Sequence, residues 1–216
     1  MSREKILTRI RANLHRKSTS LSSEWQQRLH SHPRGVIPQR GSEDFKERAR
    51  LFAERAREAG ATVEEITTLK RLPSALLTLL QQERETHLRL SPDPLWKSIA
   101  WEHYPSLLFS TGEGRNEDRV SVTSCFCAIA ETGTVMILND AHTPVALCFL
   151  AEVHIVVILI EYVVNGYEDA WDRLREKNVN PSSVHFITGP SRTGDIEQKI
   201  MIGAHGPRRV HVVLVG

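Results

Sequence analysis

Residues 153–160 read Val-His-Ile-Val-Val-Ile-Leu-Ile, a near-continuous β-branched and aliphatic run. As a strand, such a run has no polar face to give to water and must be covered on both sides. That is the place of an inner strand in a parallel sheet. Parallel neighbours need long crossovers, usually helical, so the rest of the chain should alternate between strand and helix.

It does. Apolar spacing predicts a helix over residues 42–60, capped by Ser42 and stopped at Gly60, with Phe45, Ala49, Phe52, Ala53 and Ala56 as its buried stripe. A strand opens at residues 61–63. Pro73 starts a second helix through Leu76, Leu77, Leu79 and Leu80. Strands are expected at 86–90 and 106–110, with a short helical piece at 94–101 between them. Residues 128–138 read as two strands turning at Thr132-Gly133. A helix over 167–177 should turn Ala170, Trp171 and Leu174 inward. A strand at 184–188, a helix at 195–202 and a strand at 210–215 complete the pattern. The expected fold is α/β: a mostly parallel sheet with helices on both faces. Ile6, Leu7, Ile10 and Leu14 recur at helical spacing, so residues 2–15 read as an amphipathic helix. Residues 17–39 carry Ser-Thr-Ser, His-Pro, Arg-Gly and Ile-Pro and read as a long connection or mobile arm. Residues 1–40 thus form an N-terminal helical extension, expected to dock on a partner subunit, and 41–216 the α/β domain.

Charge and cysteine usage narrow the function. The net charge is +2, and no basic block supports nucleic-acid binding. The longest apolar stretch, 153–164, is broken by His154 and Glu161 and is too short for a membrane span. The first residues lack the apolar core of a signal peptide, so a cytoplasmic location is expected. Cys125, Cys127 and Cys148 are an odd set without a second cysteine cluster. They read as buried thiols, and no metal site is expected. There is no P-loop, no G-x-G-x-x-G after a strand and no G-x-S-x-G elbow.

Three polar turns could carry chemistry. The first is Gly189-Pro190-Ser191-Arg192-Thr193-Gly194-Asp195, after a strand and before the expected helix. Helix-start amides, the Ser191 and Thr193 hydroxyls and the Arg192 fork suit a small anion, with Asp195 capping the helix or orienting Arg192. A plain helix cap with a surface Arg192–Asp195 pair fits the same composition. The second is Glu131-Thr132-Gly133-Thr134, where Glu131 could serve as base or nucleophile beside turn amides. A hairpin that needs Gly133 explains the same residues. The third is Gly203-Ala204-His205-Gly206-Pro207. His205 there is open enough to meet an anion or move a proton. Gly112-Glu113-Gly114 is a weaker candidate for the same crevice.

Taken together, Ala130 to Thr134, the run Val153-His154-Ile155-Val156-Val157, the stretch Ile187 to Glu197 and Gly203 to Pro207 resemble the LUD domain family, in order and spacing, from about Glu43 to the end. The resemblance implies a fold like that of the NagB, RpiA and CoA-transferase superfamily. It also implies a role in oxidising L-lactate to pyruvate together with iron–sulfur partner proteins. With no flavin, nicotinamide or cluster motif, this chain would hold no cofactor, and the clusters would belong to the partners. The ligand would be a small carboxylate or phosphate, bound by Thr132, Gly133, Thr134, Gly189, Ser191, Arg192, Thr193, Asp195 and Gly206, with Glu131 and His205 as catalytic candidates. Two other roles stay open: an isomerase or acyl/CoA-transferase acting on a phosphorylated or CoA-linked acid, and an assembly or regulatory protein. A homo-oligomer is also open. One departure stands out. The family carries an arginine and then a proline ahead of the His-Ile-Val-Val strand. Here that stretch is Thr143-Pro144-Val145-Ala146-Leu147-Cys148-Phe149-Leu150-Ala151-Glu152, with no arginine.

Overall fold

A computed structural model describes residues 3–13, 23–35, 44–196 and 199–216. Contacts divide the chain between Ile37 and Pro38. The first unit holds α1 (Arg3–Asn13) and α2 (Ser23–Ser31), neither of which buries a residue. The arm expected over 17–39 therefore contains a helix. Its apolar pair, Trp25 and Leu29, sits one turn apart, and Glu24 suits the helix start. Leu14 lies outside the described residues.

In the second unit, six strands form a fully parallel sheet in the order β1-β12-β7-β4-β2-β3. They are β1 (Thr62–Ile66), β2 (His87–Leu90), β3 (Leu108–Thr111), β4 (Val120–Ser124), β7 (Val153–Leu159) and β12 (Arg209–Val215). β7 is internal, as its composition requires. Its Val153, Ile155 and Val157 pack on one face with Leu72, Leu76 and Leu79 of α4 (Leu72–Glu83). Val156 and Ile158 pack on the other, against Ala49, Phe52, Ala53 and Ala56 of α3 (Phe45–Glu58). Period-2 alternation thus serves two cores from one strand.

A second sheet has the order β8-β5-β6-β9, from β5 (Cys127–Ile129), β6 (Thr134–Leu138), β8 (Val163–Val164) and β9 (Val184–Ile187). Ala128, Val135 and Ile137 share the α3 core, so both sheets bury surface around that helix. The opposite face packs Ile129 and Met136 on α6 (Tyr167–Glu176), with Ala170 fully buried and Trp171 and Leu174 partly so. The short α5 (Ala146–Phe149) contacts β4 and β7.

Three local readings are corrected. Ser42 lies outside the described residues, and Asp44 caps α3, its carboxylate accepting from the Lys46 and Glu47 amides at 2.8 and 3.0 Å. Phe45 is exposed at that helix start rather than part of the stripe. The helix expected at 195–202 is instead a hairpin of β10 (Arg192–Ile196) and β11 (Lys199–Ile202), with Arg192 opposite Ile202 and Thr193 opposite Met201. A short apolar run does not distinguish the two periods, and cross-strand pairing with residues 192–193 decides the matter. Among the described residues, no helix is long and apolar enough to cross a membrane.

Candidate functional site: a crevice between the two closing turns

The two closing turns meet. The Ser191 amide donates to the Pro207 carbonyl, and the Gly203 amide donates to the Ser191 carbonyl, both at 2.9 Å. Between them lies a crevice of about 240 Å³. Thr188, Gly189, Ser191, His205 and Gly206 form its polar side. Cys148, Phe149, Phe186 and Val210 form its apolar side. The stretch where the resemblance leads one to expect an arginine supplies Cys148 and Phe149 instead. Gly206 has a local reason: a Cβ there would lie 3.2 Å from the Ser191 Cβ.

The crevice is not where the α/β rule puts it. Ligands in open parallel sheets sit beyond the carboxyl ends of the strands. The strand before Gly189 is β9, antiparallel to β6 in the second sheet. Its turn lands on the end of α3, near the amino ends of β1 and β12. Gly189 has φ +68°, and a Cβ there would overlap the Ala59 carbonyl oxygen. Because a hairpin follows, no helix start supplies amides for an anion. Arg192 does not line the crevice. Its Nη2 donates at 3.1 Å to the Ala59 carbonyl at the C-cap of α3. Terminal helix carbonyls lack intrahelical donors and carry partial negative charge, which the guanidinium satisfies. Thr193 pairs within the hairpin, and Asp195 lies in β10 rather than at a helix cap.

Glu131 to Thr134 forms the hairpin turn between β5 and β6, next to the crevice but outside it. Gly133 has φ +65° and backs onto Ala56 of α3, where a Cβ would overlap the backbone. Glu131 is half-buried. Its amide donates to the Asn165 carbonyl at 3.0 Å, and its carboxylate lies beside Gly166, before α6. It is not a crevice residue. Thr134 is completely buried, so Gly133 and Thr134 act on the crevice only through what they hold.

What they hold is a cluster of hydroxyls. Thr134 Oγ1 lies 2.7 Å from Thr132 Oγ1, 3.2 Å from the Tyr167 hydroxyl and 2.7 Å from Thr188 Oγ1. Thr132 also donates to Tyr167 at 3.3 Å. Each hydroxyl has one proton and two lone pairs. With Thr132 donating to Tyr167 and Tyr167 to Thr134, the Thr134 proton goes to Thr132, because that 2.7 Å contact has no other proton. Thr188 then donates to Thr134 and turns a lone pair to the crevice. Thr188 and Tyr167 were not singled out from the sequence. Thr188 carried one signal, its place as the polar residue before Gly189; Tyr167 carried none.

Residues 117–215 match the LUD domain. The resemblance read from the sequence holds over this segment, which contains the whole crevice. The chain is 27% identical to lactate utilization protein C of Bacillus pumilus over 99% of its own length and 96% of that protein's. It is 32% identical to lactate utilization protein C of Anoxybacillus flavithermus over 48% of this chain and 46% of the relative, so that match spans under half of the relative. A DUF162 family protein from Deinococcus radiodurans superposes with a TM-score of 0.57 at 20% identity, covering 81% of this chain and all of that one. That likeness concerns the fold alone.

The cysteines take no part in surface chemistry. All three are buried and free of disulfides. Burial pushes the Cys127 and Cys148 thiols up to about 12 and raises Cys125 as well. Thiols held protonated are poor ligands and poor nucleophiles. Among the described residues, no group of three His, Cys, Asp or Glu side chains is arranged to hold a metal ion.

Proposed function

We propose that this chain is a non-redox component of an L-lactate to pyruvate oxidation system, binding a small carboxylate in the crevice and organising iron–sulfur partner proteins. The observation that carries the reading is that Thr188, Ser191 and His205 line one small crevice together with the apolar Cys148, Phe149 and Phe186. Hydroxyl and imidazole groups suit a carboxylate and a hydroxyl or keto oxygen. The apolar wall of Cys148, Phe149 and Phe186 suits a short alkyl group. At about 240 Å³ the space falls below the roughly 300–1,000 Å³ of drug-sized sites, as a three-carbon acid requires. The electrons would pass through clusters held by the partners, and the chain itself would hold no cofactor. The Glu131 nucleophile reading has no comparable support, because Glu131 stands outside the crevice.

Calorimetric titration of the purified chain with L-lactate and pyruvate tests the binding. Saturable binding that weakens about tenfold in Ser191→Ala and His205→Ala is expected, the size of one or two lost hydrogen bonds. Equal binding in the variants, or none in the parent chain, would remove the crevice from the mechanism. Lactate oxidation by the isolated chain would overturn the non-redox assignment.

A further inference from the structure

A larger hollow is left unused by that reading. It measures about 490 Å³ and opens at the amino ends of β1, β7 and β12. Arg208, Arg209, Glu83, Thr62, Gln82 and His211 supply its polar lining, and Leu79, Val153 and Val210 its apolar lining. Val210 lines the crevice as well, so the two hollows adjoin at the start of β12.

The charge around this hollow is organised. Arg209 pairs with Glu83 through Nη1, and Arg208 Nη2 lies 3.1 Å from Glu152. Arg119 bridges Glu85 at 2.6 Å and Glu152 at 3.0 Å. The Arg192 guanidinium sits at the rim, 2.7 Å from where a Gly60 Cβ would stand. Four guanidinium groups thus stand among Glu83, Glu85 and Glu152, which fix their positions, with Glu64 a fourth carboxylate nearby. Behind them His211 shares a hydrogen bond with Thr62 through Nδ1. His211 Nε2 is buried with no hydrogen-bond partner, and the nearest carboxylate oxygen, on Glu64, is 3.8 Å away. With Nδ1 accepting from Thr62, Nε2 carries the proton of a neutral ring. A buried N–H without an acceptor is what a missing ligand or water leaves behind.

We propose that this amino-edge cavity is a second ligand site, which takes the phosphate group of a small organic phosphate on Arg208, Arg209 and His211. Two planar forks and one imidazole N–H offer donors to three oxygens. That matches a phosphate better than a carboxylate, which has two. The remainder of the ligand would lie over Leu79, Val153 and Val210. The proposal does not depend on what the crevice binds.

The test is titration of the full chain with inorganic phosphate and pyrophosphate, with acetate as the carboxylate arm. Saturable binding of phosphate and pyrophosphate is expected, weakened about tenfold in Arg208→Gln and Arg209→Gln and unchanged in Ser191→Ala. Glu83→Gln supplies a sign that a purely structural ion pair does not predict: it removes the competing carboxylate and should tighten phosphate binding several-fold. The proposal fails if phosphate and pyrophosphate do not bind, if acetate binds as well as phosphate, if Ser191→Ala weakens binding as much as the arginine variants, or if Glu83→Gln leaves affinity unchanged or lower. Because the Glu83 variant keeps both arginines, it decides the matter even if an arginine variant folds poorly.

Discussion

Arg192 donates from Nη2 to the main-chain oxygen of Ala59, closing the end of α3 from 133 residues away in the chain. The most ligand-like cation in the closing motif is therefore a helix cap. Arg192→Gln should cost about 0.5–1 kcal/mol of stability, the worth of a favourable charge at a helix C-terminus. It should leave crevice binding nearly unchanged. Urea denaturation with a parallel lactate titration checks both halves. A large loss of affinity with intact stability would return Arg192 to the ligand.

Gly133 and Gly189 both press on the last turns of α3 with positive φ. Gly133→Ala and Gly189→Ala should each destabilise by about 2 kcal/mol or more, because strain in the left-handed region adds to overlap with the Ala56 or Ala59 backbone. The open Gly194, with no heavy atom within 4 Å of a built Cβ, is the control and should tolerate alanine. Denaturation midpoints of the three variants give the comparison.

Tyr167→Phe removes one hydroxyl from the cluster behind Thr188 while keeping the ring against Phe186, whose centroid is 5.3 Å away. A cost of about 1 kcal/mol is expected, because Thr134 keeps Thr132 and Thr188 as partners. Thr134→Val removes the buried hydroxyl that Thr132, Tyr167 and Thr188 share and should cost about 2 kcal/mol. If both variants cost the same, the hydroxyls do not act as a connected cluster.

Two buried histidines make stability depend on pH. Burial lowers His154 to about 4, and it also lowers His211 to about 4, from an ordinary value of 6.5. Their stabilising neutral form is fully present above 6.5. Between 6.5 and 4 the unfolded chain takes up protons that the folded chain refuses, so stability falls as pH falls. Each histidine contributes a slope of about 1.4 kcal/mol per pH unit in that window. His211→Gln should remove about half of the combined slope. Chemical denaturation of both proteins at several pH values between 7.5 and 4.5 measures it.

Much of the fold was legible because it rests on local pattern. The stripe of Ala49, Phe52, Ala53 and Ala56, the Thr132-Gly133 turn and the doubly buried run of β7 are all statements about neighbours in the chain. The misreadings share a cause. Residues 195–202 can satisfy a helical or an extended period, and only pairing with residues 192–193 selects the hairpin. Ser191, His205 and Gly206 line the crevice. Arg192 and Glu131 face elsewhere, because their partners, Ala59 and the start of α6, come from distant parts of the sequence.

By itself, then, the sequence determined that residues 153–160 would supply an inner strand, that helices would cover both faces, and that polar, glycine-bearing turns would fall at residues 189–195 and 203–207. Only the tertiary structure decided which side of the molecule those turns occupy. β9 joins the second, partly antiparallel sheet, so the turn after it arrives at the amino ends of β1 and β12 rather than at the carboxyl edge of the parallel sheet. Strand direction within a sheet is fixed by pairing between distant segments, and no local periodicity encodes it.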